Sequence, residues 1–277
     1  SKENWISQIR LGNSSLTGKK CHADKQYSSA DLKILFNECK FPLIRKSNNQ
    51  KTLAFVGDSH TITLLSAEEI LTNSGFRIIH YSHNGCPFPI PPYGIYPREC
   101  NQFLLNAENA IFQDLKSGDA IIIHNYHLSH LGGNNLKDTR HYIFNKNNNF
   151  ISYSPTKIKL YMKGLKNLSL KASKKSISIY LIGSPYRNIE AKTLLEETNN
   201  VRKLNAKLSK KIKDYSMKNV IFVDPLEILD KNATRSSALS LAVNNHRMLI
   251  YEKMGNFKLM KEAQEEIEEI LNGLSQK

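Results

Sequence analysis

Residues 51–75, KTLAFVGDSHTITLLSAEEILTNSG, give the clearest indication of the fold in this sequence. TLAFVG is an uninterrupted apolar run typical of a buried strand, and residues 60–72 have the spacing of an amphipathic helix. The Asn-Ser-Gly sequence at 73–75 is a helix stop. Ser59 therefore lies between a strand and a helix, where a serine either caps the helix or acts as a nucleophile.

Apolar runs alternate with amphipathic segments along the rest of the chain, which predicts an α/β domain with a doubly wound, five-stranded parallel sheet and helices on both faces. The strand segments are TLAFVG (52–57), FRIIHYS (76–82), AIIIHN (120–125), SISIYLIGS (176–184) and NVIFVDP (219–225). Helices are predicted at about 60–72, 101–116, 156–171 and 189–215, with less regular ones at 226–243 and 257–271 and an edge strand in RMLIY. We divide the chain into an irregular lead-in, residues 1–50, and an α/β domain, residues 51–277. The polar segment 126–154 predicts a long functional or mobile loop.

Charge and hydropathy narrow the classes of partner. The 277 residues carry a formal net charge of +14 from scattered lysines, without the basic and aromatic stripe of nucleic-acid binders, so we predict no nucleic-acid partner. A solvated lysine-rich surface and attraction to an anionic surface, lipid headgroups or acidic polysaccharide, both stay open. No apolar run is long enough to predict a membrane-spanning helix. Because the chain begins at Ser1, we expect it to be part of something longer.

Four cysteines form two local pairs, Cys21 with Cys39 and Cys86 with Cys100. Their spacing fits no zinc motif, and we predict neither a metal nor a cofactor. The local pairing suits disulfides in an oxidising compartment. Four buried thiols in a reducing compartment are the alternative.

Polar or glycine positions follow the second and third strands as well as the first. Gly85 lets the backbone approach a ligand closely, and Asn125 carries a side-chain N–H donor. Because the carboxyl ends of parallel strands share one edge of a sheet, Ser59, Gly85 and Asn125 are predicted to point N–H donors at one spot. That arrangement stabilises an oxyanion.

The motifs FVGDSH, NGCPF and the asparagine after the third strand resemble the first blocks of the SGNH hydrolases, a GDSL-like superfamily. More closely, residues 21–125 resemble the extracytoplasmic SGNH domain fused to membrane acyltransferases that O-acetylate surface polysaccharides. A cysteine pair ahead of GDSH, a Cys-Pro after the second strand and a further cysteine downstream all recur here in that order.

The resemblance implies a flavodoxin-like fold and an O-acyltransferase or carbohydrate esterase, with a cell-surface polysaccharide or oligosaccharide as partner. It also implies an extracytoplasmic, periplasmic or cell-surface location, with tethering through a fused or associated membrane acyltransferase. Ser59 would be the nucleophile, and the N–H groups of Ser59 and Gly85 would hold the oxyanion. Asn125 would be a third donor, although Ile123 stands where the family has glycine. His60 would support the loop rather than act as the base.

The usual base is absent from its expected place. Aligned on Tyr251, the family's D-x-x-H motif falls on Lys253 and Asn256, and neither side chain can activate a serine. His246 is the nearest substitute base, with Asp224 as a possible orienting acid; the alternative is a catalytically impaired module that binds glycan or supports an acyltransferase. Alternative histidines near the serine are His124, His127 and His130. Four tyrosines lie in the predicted loops around the site, where stacking on a sugar and ordinary packing both stay open: Tyr93, Tyr96, Tyr126 and Tyr142.

Overall fold

The computed structural model describes residues 21–24, 26–64, 68, 71–92, 96–132, 143–144, 150–151, 154–184, 194–225, 261 and 265. The elements predicted between residues 226 and 260 lie outside these ranges, as do His246, Lys253 and Asn256. Residues 261 and 265, in the predicted acidic helix, are helical.

The described residues form nine strands and five α-helices, together with a 3₁₀ helix at Ser59–Leu64. The strands are β1 (His22–Ala23), β2 (Lys40–Phe41), β3 (Thr52–Gly57), β4 (Arg77–His83), β5 (Ala120–His124), β6 (Ile143–Phe144), β7 (Phe150–Ile151), β8 (Ser178–Ile182) and β9 (Val220–Val223). The helices are α1 (Ser29–Glu38), α2 (Arg98–Asp114), α3 (His127–Leu131), α4 (Ser154–Ser173) and α5 (Leu194–Asp214).

The main sheet confirms the predicted doubly wound fold. Its five predicted strands are parallel and run in the order β4-β3-β5-β8-β9, which is the flavodoxin-like order 2-1-3-4-5. The order reverses at β3, where Gly57 pairs with Ser82 on one side and with His124 on the other. Ligands of such sheets bind beyond the carboxyl ends of the strands at this reversal, and Ser59 follows Gly57 there.

Two short strands from the lead-in widen the sheet to seven. β1 pairs with β4 in parallel and β2 pairs with β4 antiparallel. Between them lies α1, which is capped by Ser28: the hydroxyl of Ser28 accepts from the N–H of Asp31 at 3.1 Å. The Cys21–Cys39 disulfide joins the two ends of this segment. Residues 29–38 are thus a regular helix, so "irregular" does not describe this part of the lead-in; the division at residue 50 stays a prediction.

Apolar side chains alternate across β3 and bury both faces of the sheet. Ala54 and Val56 belong to the larger core, which α2, α4 and α5 cover with residues at helical spacing, such as Phe103, Leu104, Ala107 and Ile111 of α2. Phe55 joins a smaller core on the other face with Leu64 of the 3₁₀ helix. The second disulfide, Cys86–Cys100, ties the loop after β4 to the first turn of α2. The turn that carries Ser59 is therefore held between two packed layers.

Candidate active site

The turn that carries Ser59 depends on a close backbone approach at Gly57. A Cβ on Gly57 would lie 2.1 Å from the carbonyl oxygen of His124 and 2.7 Å from Oδ1 of Asn125, both far inside van der Waals contact. Only glycine lets β3 end this close to the end of β5. The approach brings the residues after both strands into one small volume.

The helix after this turn starts as a 3₁₀ helix rather than the α-helix predicted from residue 60. The N–H of Thr61 donates to the carbonyl oxygen of Asp58 at 3.0 Å, an i to i+3 bond, and the N–H of His60 donates to Oδ1 of Asp58 at 2.8 Å. The Asp58 side chain thus caps the turn, which leaves Ser59 without a capping role. The role of Ser59 as a nucleophile stays a prediction.

Ser59 is half-buried at the edge of the sheet. Within the described part of the chain, neither its Oγ nor its N–H takes part in a hydrogen bond. Gly85, with φ of +70°, lies in the turn after β4 and is also half-buried. The N–H of Gly85 likewise bonds to no described residue. Backbone N–H donors and a serine hydroxyl are among the groups that serine-dependent acyl chemistry uses, together with a general base.

Asp58 is a buried carboxylate, only 1% exposed, and it organises the residues around the turn. Its Oδ2 accepts from the N–H of Tyr126 at 2.8 Å and pairs with Nε2 of His130 at 2.6 Å. Burial alone would raise the pKa of Asp58, but the hydrogen bond and charge of His130 outweigh it and hold that pKa below its usual range. His130 is therefore committed to Asp58 rather than to Ser59.

Asn125 is fully buried and clamps the site instead of facing it. Its Oδ1 accepts from the N–H groups of Asp58 at 3.2 Å and Phe88 at 3.1 Å. Its Nδ2 donates to the carbonyl oxygen of Phe88 at 2.7 Å and to the hydroxyl of Tyr161 at 3.3 Å. Both amide protons have partners within the protein, so the role of Asn125 as a third oxyanion donor stays a prediction that requires an exchange of partners.

The remaining histidines near the turn differ in what they contact. His127 is fully buried in α3 and its Nε2 donates to the carbonyl oxygen of Ile182 at 3.1 Å; burial lowers its pKa to about 4. His124 lies at the end of β5 with its ring edge-on to that of His60, at 5.9 Å between centroids. His60 in turn stacks on Tyr126 at 4.5 Å. His60 thus packs between two aromatic rings, and its role in supporting the loop stays a prediction.

The other predicted site residues fall into two groups. Asp224, after β9, accepts from Nδ2 of Asn205 at 3.1 Å. The base candidate His246 lies outside the described residues, as do Tyr93 and Tyr142. Tyr96 is only 6% exposed, which favours the packing alternative over stacking on a sugar.

Sequence reasoning did not predict a chain of buried polar side chains beside the turn that carries Ser59. Glu68 pairs with Nδ1 of His80 at 2.6 Å, Nε2 of His80 with Oγ of Ser82 at 2.8 Å, and Oγ of Ser82 with Nδ1 of His22 at 2.9 Å. Ser82 is fully buried next to Gly57, so this chain secures β1, β4 and the helical residue 68 around the turn. The only sequence signal is the alternation of polar residues in RIIHYSH, which places His80 and Ser82 on one face of β4.

A doubly wound sheet with an uncommitted serine at its reversal point is the arrangement of an SGNH-type domain. The chain belongs to that family: the family model described as "SGNH domain (fused to AT3 domains)" matches residues 20–251. A comparison with curated protein sequences finds no match.

Solved structures with a similar fold include the periplasmic domain of a lipopolysaccharide acetyltransferase from Salmonella ser. Paratyphi A. It is 12% identical over 81% of this chain and 79% of its own, with a TM-score of 0.46. A GDSL-like lipase from Bacteroides thetaiotaomicron is 14% identical over 85% of this chain and 98% of its own, with a TM-score of 0.45. A catalytic mutant of an acetylxylan esterase from Geobacillus stearothermophilus is 12% identical over 76% of this chain and 97% of its own, with a TM-score of 0.43.

The described residues lack two further features, a membrane-spanning helix and a metal-binding cluster. No helix among them has the length and apolar character needed to cross a bilayer. No group of three or more histidine, cysteine, aspartate or glutamate side chains in those ranges is arranged to hold a metal ion.

Proposed function

We propose that this SGNH domain transfers or removes an acyl group on a cell-surface carbohydrate, with Ser59 as the nucleophile. Acetyl is the acyl group that we propose. The observation that carries the proposal is the hydroxyl of Ser59, which is half-buried at the sheet reversal and takes part in no hydrogen bond among the described residues. The N–H groups of Ser59 and Gly85, each in the turn that follows one of two neighbouring strands, likewise bond to no described residue. In the reaction, Ser59 Oγ attacks the acyl carbonyl carbon while its proton passes to the base, for which His246 is the candidate, and the two N–H groups stabilise the oxyanion. The bond between the acyl carbon and the donor's leaving group then breaks, and the leaving group takes up that proton. A sugar hydroxyl or water then accepts the acyl group.

The location and partners follow from the same proposal. The family is described as fused to acyltransferase domains, which supports an extracytoplasmic domain, periplasmic or cell-surface, that works with a membrane acyltransferase. Two disulfides, Cys21–Cys39 and Cys86–Cys100, fit an oxidising compartment. The polysaccharide or oligosaccharide partner is proposed by resemblance to the family.

A catalytically impaired module is the second candidate, and a specific observation favours it. Lys253 and Asn256 stand where the family has its acid and base, while His130 is bonded to Asp58 and His127 to Ile182. A serine without its base retains only oxyanion stabilisation and binding, roughly 10³ to 10⁴ over water in the well-studied triads. Such a module would bind glycan, or support an acyltransferase, through the same cleft.

Hydrolysis of p-nitrophenyl acetate and covalent labelling by a fluorophosphonate distinguish the two candidates. For the enzyme, Ser59→Ala should lower kcat/KM by at least about 10³-fold and abolish the mass increase on labelling. Ser47→Ala, at an exposed serine on the opposite edge of the sheet, is the control and should behave as the wild type. Equal hydrolysis and no labelling in all three proteins would reject the enzyme and leave the binding module.

The base is identified by a second pair of variants. If His246 is the base, His246→Ala should reduce hydrolysis as strongly as Ser59→Ala, whereas His127→Gln should retain it. Hydrolysis that is unaffected by His246→Ala rejects this candidate.

A further inference from the structure

The loops that enter the five parallel strands meet at the edge of the sheet opposite Ser59. They comprise residues 42–51, 74–76, 115–119, 174–177 and 215–219, which we call the basic edge. Hydrogen bonds and one ion pair join neighbouring loops. Nε2 of Gln50 donates to the carbonyl oxygen of Gly75 at 3.0 Å, and Arg45 pairs with Asp119. The N–H of Gly118 donates to the carbonyl oxygen of Ser176 at 3.0 Å, and Nδ2 of Asn219 donates to that of Ile177 at 3.2 Å. The five loops therefore form one continuous surface.

The exposed charges on the basic edge are all positive. Six lysines are exposed there, and no carboxylate in these five described loops is exposed. The only acidic residue of the loops, Asp119, is 2% exposed and neutralised by Arg45. The lysines are Lys46, Lys51, Lys116, Lys174, Lys175 and Lys218.

Helix dipoles account for part of this pattern but not for all of it. Lys116, Lys174, Lys175 and Lys218 follow the carboxyl ends of α2, α4 and α5, where a cation is stabilising. Lys46 and Lys51 follow no helix, yet they are exposed in a loop of the same basic edge. A role for the surface as a whole accounts for all six.

Two apolar side chains project from the same surface. Leu43 is 58% exposed and Ile44 is 77% exposed, although their loop is firmly held. Arg77 donates to the carbonyl oxygens of Pro42 at 3.0 Å and Leu43 at 2.8 Å, and Arg45 donates to that of Gln50 at 2.7 Å. The protein thus fixes the backbone while presenting adjacent aliphatic side chains to water.

We propose that the basic edge docks on a membrane that contains anionic phospholipids. Lysines attract anionic headgroups over a Debye length, and an adjacent aliphatic pair at the tip can enter the headgroup and acyl boundary. An acidic polysaccharide would satisfy the lysines but offers no apolar layer for Leu43 and Ile44. The docked orientation leaves the Ser59 edge facing away from the bilayer.

Sedimentation of the 277-residue chain with lipid vesicles tests the docking. We expect binding to vesicles of phosphatidylglycerol mixed with phosphatidylcholine, weak binding to phosphatidylcholine alone, and a decline with added salt. The double variant Leu43→Ser/Ile44→Ser should weaken binding about tenfold. Each of Lys51→Gln and Lys116→Gln should weaken it about fivefold. Amide hydrogen exchange in residues 42–51 should slow on vesicle binding.

Matched controls lie on α1 and α2, away from the basic edge. Ile34 and Leu105 are 58% and 54% exposed, so Ile34→Ser/Leu105→Ser removes a similar exposed apolar area and should bind as the wild type; Lys33→Gln is the charge control. Equal losses in test and control variants, or equal binding to both vesicle types, would overturn the proposal. So would binding to an anionic polysaccharide such as heparin that depends on Lys51 and Lys116 without any binding to vesicles.

Discussion

Gly57 determines how closely the ends of β3 and β5 approach, and hence where Ser59 lies. Its φ is +157°, and an added Cβ would lie nearest to the backbone oxygen of His124, an atom that no side-chain rotation can move away. Relief of a clash therefore requires one of the two strands to move. A displacement of this kind would shift Ser59 relative to the N–H groups that we propose as oxyanion donors.

We predict that Gly57→Ala destabilises the protein by about 1–3 kcal/mol and lowers esterase activity far more than stability alone would require. Urea unfolding and p-nitrophenyl acetate hydrolysis at a temperature where the variant is folded measure the two effects. Gly75→Ala is the matched control, since Gly75 also has positive φ, +95°, but nothing lies within 4 Å of its added Cβ. Similar losses of activity in both variants would contradict the steric explanation.

At the scale of elements, Asn125 links three of them: the turn after β3, the loop after β4 and helix α4. Its side chain makes four hydrogen bonds within the protein, to Asp58, to both backbone groups of Phe88 and to Tyr161. A buried side chain with this many partners contributes first to the order of the loop that carries Gly85. Any part in oxyanion binding comes through the same amide group.

We predict that Asn125→Ala lowers the free energy of unfolding by about 2–4 kcal/mol, because it leaves the N–H groups of Asp58 and Phe88 buried without partners. Asn125→Asp keeps the oxygen acceptor but loses the amide donor. If Asn125 also donates to the oxyanion, kcat should fall about 10² to 10³-fold in Asn125→Asp; Tyr161→Phe, which keeps the amide, should leave kcat near the wild-type value. Unchanged stability in Asn125→Ala would contradict the clamp.

The sequence predicted the five main strands because each is an apolar run bounded by turn residues, and their observed limits differ by at most two residues at either end. It did not predict β1 or β2, since a two-residue strand carries no periodicity. The clamp by Asn125 was also beyond reach, because its partners Phe88 and Tyr161 are 37 and 36 residues distant. Ser59 and Gly85 could be proposed because a turn at a strand end is a local feature, and their roles stay predictions. His130 was left among several histidines because its partner, Asp58, is 72 residues away.

At the scale of the whole molecule, a buried imidazole couples folding to pH. Burial lowers the pKa of His127 to about 4 from its ordinary 6.5, so the folded protein keeps this ring neutral where the unfolded chain protonates it. The unfolded state then binds more protons between about pH 6.5 and pH 4, and stability falls as the pH falls through that window.

We predict that His127 contributes a loss of about 1.4 kcal/mol per pH unit between about pH 6.5 and pH 4. His127→Gln keeps a donor toward Ile182 but has no titrating group, so its unfolding free energy should depend less on pH by that amount. Urea unfolding at several pH values measures both curves, and the difference cancels contributions from other groups. Parallel curves for the two proteins would show that His127 is not the source.

The length of the parallel strands also sets the distance between Ser59 and the basic edge. β3 has six residues, and a rise of about 3.3 Å per residue separates its two ends by about 20 Å. When the strands stand upright on a surface that supports the basic edge, that surface is about as far below the hydroxyl of Ser59. A bilayer in this position would be out of reach of the serine, and an acyl donor would have to be raised to it by a carrier or a neighbouring domain. The sheet would then act as a spacer that selects sugars standing well above the headgroups.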